Sequence, residues 1–136
     1  MKQYTRVYAK IDLDAIAYNM EQMKERIGTG AKLVAVIKTD GYGHGAIPIA
    51  RMFESVDYVW GYATASLDEA VLLRKAGICK PILVLGCVFP DQYEDMIRYE
   101  VRPATYTEEM AIEISKQAVK LNKTCLLYTS PSPRDV

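Results

Sequence analysis

The sequence is poor in the groups that build metal sites and covalent frameworks. It has a single histidine, His44, and three cysteines, Cys79, Cys87 and Cys125. Those cysteines are too few and too widely spaced for a disulfide framework or a zinc site, and one histidine does not assemble a metal cluster. They read as structural or incidental thiols, which suits a reducing cytoplasm. Charge excess is also missing: 17 basic residues balance 17 acidic ones. No block of one sign stands out, so neither nucleic acid nor an anionic membrane is indicated as a partner. No apolar run approaches the roughly 20 residues that span a bilayer. The opening Met1–Arg6 has no apolar core of a secretory signal.

What remains is ordinary for one soluble globular domain: 136 residues, 50% hydrophobic and 25% charged. The chemistry gathers in one stretch, Leu33 to Gly45. Five apolar residues, Leu33–Ile37, run into Lys38. A turn follows with glycines at 41, 43 and 45, carrying Tyr42 and His44. A short apolar run bounded by glycines reads as a buried strand of a parallel sheet. The carboxyl ends of such strands are where α/β proteins place their sites.

Along the chain, residues 6–11 alternate and read as a half-buried strand. Asp12 and Asp14 suit a helix N-terminus, Ile16, Met20, Met23 and Ile27 recur at helical spacing, and Gly28 closes the helix. Ala46, Ala50 and Phe53 mark a further helix, with Pro48 tolerable in its first turn. Val59–Ala63 reads as a second strand. Ser66 and Glu69 form a capping-box pattern for a helix that ends at Gly77. Pro81 opens a third strand, Ile82–Leu85, ended by Gly86. A less regular helix from Pro90, a short strand in Val101–Tyr106 and a last helix with Ala111, Ile114, Ala118 and Leu121 on one face complete the pattern.

Alternating strand and helix means parallel strands with helices packed outside. An open doubly wound sheet and the first part of an eight-stranded (β/α)8 barrel both fit. A whole barrel takes about 250 residues, so this length holds only part of one. From Cys125 onward the pattern breaks into a Ser-Pro-Ser-Pro tail, expected to be unrelated to the preceding residues 1–124 and unordered.

Lys38 has two readings on residues alone. It is either a solvated strand terminus or an amine aimed into a site at the strand end. Desolvation there would free the amine to act as nucleophile or base, or to form a Schiff base with an aldehyde cofactor such as pyridoxal phosphate. The glycine turn has a rival reading, since Gly41, Gly43 and Ala46 satisfy a dinucleotide fingerprint. The acid that fingerprint wants about 20 residues on is replaced by Ala63, Thr64 and Ala65. A plain structural turn, with Tyr42 packing and His44 bonded to backbone, also fits.

Val36-Ile37-Lys38-Thr39-Asp40-Gly41-Tyr42-Gly43-His44-Gly45 resembles the cofactor-attachment segment of bacterial alanine racemases, which reads V-K-A-[ND]-A-Y-G-H-G. Ile11-Asp12-Leu13-Asp14-Ala15-Ile16 with Asn19 resembles that family's opening. Ser66-Leu67-Asp68-Glu69-Ala70, Leu73-Arg74, Ala76-Gly77-Ile78 and Pro81–Gly86 resemble its S-L-D-E-A…L-R…A-G-I…P-I-L-V-L-G stretch. Thr39, Gly41 and Lys10 are minor departures. The K-x-D-T-G-M-x-R segment of the family does not follow residue 124.

The resemblance implies a fold-type-III pyridoxal 5'-phosphate enzyme with an N-terminal barrel and a C-terminal β domain. It implies interconversion of L- and D-alanine, for D-alanine supply to the cell wall, by a cytoplasmic homodimer. It implies that Lys38 holds the cofactor and moves the Cα proton on one face, that Tyr42 reaches the phosphate, and that Leu85 packs beside the cofactor. The second base, a partner's tyrosine, and the substrate-binding arginine would lie beyond residue 124, so the chain alone is expected to be inactive. Another fold-type-III protein, serine racemase-like or a cofactor carrier, is the alternative, and a dinucleotide module is the unrelated rival.

Overall fold

A computed structural model describes residues 6–129. The chain divides into two compact units, residues 1–31 and 32–136.

The first unit is built on helix α1, Leu13–Ile27. Its cap is Asp12, whose carboxylate accepts from the Ala15 amide at 3.0 Å. Asp14 sits in the first turn and Lys24 and Arg26 in the last, so both ends complement the helix dipole. Gly28 ends the helix at φ 74°, in the left-handed region. The strand expected over 6–11 does not form. Val7 is 87% exposed, and those residues pair with no strand among the described residues. Alternation offers a face, but only a hydrogen-bonding neighbour makes a strand.

The second unit is a parallel sheet in the order β1-β2-β3-β4. The strands are β1 Leu33–Val36, β2 Val59–Thr64, β3 Ile82–Val84 and β4 Arg102–Pro103. Between them run α3 Ala46–Phe53, α4 Leu67–Lys75 and α5 Tyr93–Arg98, with a 3-10 turn, Pro90–Gln92, leading into α5. Helix α6, Glu108–Lys120, follows β4. A doubly wound sheet reverses its strand order at a switch point. This sheet adds each strand beside the last without reversal, which is the order of a barrel segment.

The register aligns Val36 with Ala63, Ala63 with Leu83, and Leu83 with Arg102. Successive side chains therefore fall on two faces. One face is buried: Ala35, Ile37, Tyr62, Thr64, Ile82 and Val84. With Phe53, Leu73, Met96, Ile97 and Ile114 they form the core. Tyr62 shows the direction of this face, since its hydroxyl donates to the Ala50 carbonyl of α3 at 2.7 Å, with Glu54 Oε1 3.0 Å away sharing that proton. On the other face β1 is open, with Val34 37% and Val36 43% exposed, while Ala63 beside it is buried. β1 is thus buried on one face, not on both as its unbroken apolar run suggests. Arg102 and Trp60 stack on each other, the guanidinium 4.8 Å from the ring centre.

The helices end as their sequences direct. Thr107 caps α6, accepting from the Met110 amide at 3.1 Å, and Met110 joins Ile114 and Ala118 on the buried face. Arg74, near the end of α4, donates to the carbonyls of Ile78, Lys80, Tyr99 and Glu100. It ties that helix to the end of α5, and burial lowers its pKa. Residues 125–129 of the tail differ from the unordered terminus expected. Tyr128 bridges Ala104 in parallel, and its hydroxyl donates to the Val84 carbonyl at 2.7 Å. The remainder, 130–136, lies outside the described residues.

Candidate functional site

All four strands are parallel, so their carboxyl ends share one edge. The last ladder bond between β1 and β2 runs from the Ile37 amide to the Ala63 carbonyl, at 2.9 Å. Lys38 is the next residue and is half-buried. Leu85 directly follows β3, its amide donating to the Thr64 carbonyl at 2.8 Å, so it too stands at the carboxyl edge of the sheet. The structure thus brings Lys38 and Leu85 to the same edge from strands far apart in sequence. Leu85 is 42% exposed, and its carbonyl accepts from the Tyr106 hydroxyl at 3.2 Å. Tyr42 lies one turn past Lys38 and is 59% exposed.

The turn that carries Tyr42, Lys38–Tyr42 (α2), is left-handed. Thr39 (φ 55°, ψ 46°), Asp40 (φ 53°, ψ 47°) and Gly41 (φ 63°, ψ 36°) are consecutive left-handed residues. Tyr42 continues at φ 56°. Each non-glycine residue there costs about 1–2 kcal/mol, and a β-branched threonine is an uncommon choice. At Gly41 space is also tight, because a Cβ would sit 3.0 Å from the Ile49 side chain and 3.3 Å from the Ala46 nitrogen. The fold compensates with a closed set of hydrogen bonds. Gly41 donates to the Ile37 carbonyl at 2.9 Å, and Gly45 to the Asp40 carbonyl at 2.8 Å. His44 donates from Nδ1 to the Gly41 carbonyl at 3.0 Å, so the only histidine is a structural turn residue.

Two carboxylates brace this turn. Asp40 accepts from the Ala46 amide at 2.9 Å and so caps α3 from within the turn. That contact decides against the dinucleotide reading of Gly41, Gly43 and Ala46. The helix N-terminus, where a pyrophosphate would sit, already holds a carboxylate, and Pro48 in its first turn offers no N–H. Glu69 is the second brace. It accepts from the Thr39 amide and from the Ala65 amide, both at 2.8 Å. The expected capping box is therefore half formed. Ser66 accepts from the Glu69 amide at 3.4 Å, but the Glu69 side chain turns to Thr39 and Ala65 and not to its own cap. Its sequence signal was visible; its destination was not.

The family model described as alanine racemase, N-terminal domain, matches residues 11–127. The alanine racemase of Halothermothrix orenii is 40% identical over 122 residues, which is 89% of this chain and 32% of that protein. Among solved structures, an alanine racemase of Clostridium difficile 630 in complex with cycloserine has a TM-score of 0.85 at 31% identity, over 92% of this chain and 34% of that one. A histidine racemase from Leuconostoc mesenteroides has a TM-score of 0.74 at 27% identity, over 85% of this chain and 30% of that one. The chain spans about a third of the length of the relatives it matches.

Proposed function

The chain belongs to the alanine racemase N-terminal domain family, and from that premise we propose that the whole protein interconverts L- and D-alanine with pyridoxal 5'-phosphate. The observation that supports it most is the position of Lys38. A primary amine stands at the carboxyl end of a parallel strand, at the same sheet edge as Leu85 and one turn before Tyr42. Among the described residues no ion pair or hydrogen bond engages that amine, and a primary amine is the group an aldehyde requires.

When bound, pyridoxal phosphate supplies an electron-accepting ring that delocalises the charge left on Cα. The chain's own residues do the rest. Lys38 would hold the cofactor's aldehyde group through its Nζ, and the same amine would serve as the base for the Cα proton on one face. The Tyr42 hydroxyl would donate to the phosphate. Leu85 would give an apolar wall beside the ring. A proton must also pass on the opposite face, and we assign it to a tyrosine of the partner subunit in a cytoplasmic homodimer. A different amino acid is the competing substrate, since a histidine racemase shares the fold.

Borohydride reduction of the chain mixed with pyridoxal phosphate, followed by peptide mapping, tests the anchor. A pyridoxyl mark on Lys38 is expected, and a chain left unmarked there sinks the assignment. Racemase assays of the full-length protein on alanine, serine and histidine then decide the substrate.

A further inference from the structure

We infer that Glu69 is a positioning residue for Lys38: one carboxylate oxygen holds the peptide that follows the lysine, and the other holds the neighbouring strand. The inference rests on the cofactor role of Lys38 proposed above.

The Thr39 nitrogen that Glu69 grips is bonded directly to the Lys38 carbonyl carbon. Because a peptide is planar, a hydrogen bond to that N–H fixes the plane and hence the ψ angle of Lys38 itself. The contact is made one bond from the residue whose direction matters, and across 30 residues of sequence.

The second oxygen explains why a carboxylate is needed. In a parallel ladder, the residue after Ile37 N–H···O Ala63 should be Ala65 donating back to the Ile37 carbonyl. That carbonyl is instead taken by the Gly41 amide as the chain enters the left-handed turn. Ala65 would be left without its ladder partner. Glu69 replaces it at 2.8 Å. The left-handed turn and the missing rung are one event, and one side chain repairs both. Ionised, that side chain is an acceptor at each oxygen, which suits two N–H donors.

Glu69 does this from behind. With Ile37, Asp40, Ala46, Thr64 and Leu73 it lines a cavity of about 260 Å³, and Lys38 is not among the lining residues. Glu69 therefore acts through the turn and not on the reacting atoms.

The test compares the chain with Glu69→Gln and Glu69→Asp. Glutamine keeps the shape but turns an NH2 toward one of the two amides. Aspartate keeps the charge but is a methylene too short to reach both. Amide hydrogen exchange and pyridoxal phosphate labelling are read on each. In Glu69→Gln, exchange at Thr39 or Ala65 should rise about tenfold. Exchange at Tyr62 and Val84 should not change. The pyridoxal phosphate concentration for half-maximal labelling of Lys38 should rise severalfold, with Glu69→Asp between the two. Unchanged exchange at both amides overturns the inference. So does faster exchange with labelling equal to wild type. If glutamine prevents folding, the aspartate variant carries the same two readouts. Absence of label on Lys38 in the wild-type chain removes the cofactor role and this inference with it. A labelled wild type with an equally labelled variant removes this inference alone.

Discussion

Asp40 sits inside a left-handed turn and caps the helix that follows it, its Oδ1 2.9 Å from the Ala46 amide. One residue therefore both adopts the costly backbone and repays part of it. Asp40→Ala should lower stability by about 1 kcal/mol, the usual cost of losing a cap. Asp40→Asn keeps an acceptor and tolerates the left-handed backbone, so it should lose only a few tenths. Denaturant midpoints of the two variants measure the difference. Equal losses would show that the cap contributes nothing.

Lys38→Ala separates anchoring from folding. The side chain is half-buried and bonded to nothing among the described residues. Stability should change by no more than about 0.5 kcal/mol. The pyridoxyl mark should vanish from this peptide and not move to Lys32. A thermal melt and peptide mapping check both parts. A large loss of stability would mean that Lys38 is structural.

Tyr62 gives the chain an alkaline limit. Burial, with the Glu54 carboxylate beside it, raises its pKa well above the ordinary 10.0. Above that value the unfolded chain gives up the phenolic proton while the folded chain keeps it. The unfolded state then binds fewer protons, so stability falls as pH rises past about 10. Tyr62→Phe should cost about 1–2 kcal/mol at neutral pH. It should also flatten the alkaline decline. Unfolding measured from pH 7 to 11 would show an unchanged slope if the hydroxyl were irrelevant.

Arg74 is a hub of backbone acceptors, donating to the carbonyls of Ile78, Lys80, Tyr99 and Glu100. Arg74→Lys keeps the charge but loses the planar fork that reaches them all. A loss of about 2–3 kcal/mol is expected, little better than Arg74→Ala. Full rescue by lysine, in urea unfolding, would mean that charge and not geometry matters there.

The alternation of strand and helix was legible because period and length both marked it. The short apolar run opened by Pro81 and closed by Gly86 formed a strand, Ile82–Val84, and Asp12 stands where a cap belongs. Lys38 was legible as a strand-end amine, and its flanks gave it a family. The left-handed turn was not legible. Glycines 41, 43 and 45 suggest positive φ, but Thr39, Asp40 and Tyr42 also adopt it, and only tertiary bonds explain that. Glu69 escaped for the same reason, because its local pattern with Ser66 looked sufficient. Residues 6–11 misled in the opposite way: the alternation is real, but pairing is a property of a neighbour.

The two faces of the sheet make chain length critical in one place. Ile37 points into the core and Lys38 follows it past the last rung to Ala63. A single residue inserted or deleted between Leu33 and Lys38 would exchange the two faces. It would carry Ile37 out of the core and shift the start of the Lys38–Tyr42 turn. The loops between helices and strands can lengthen without such an exchange. For this protein, the count of residues in β1 is as specific an instruction as the lysine itself.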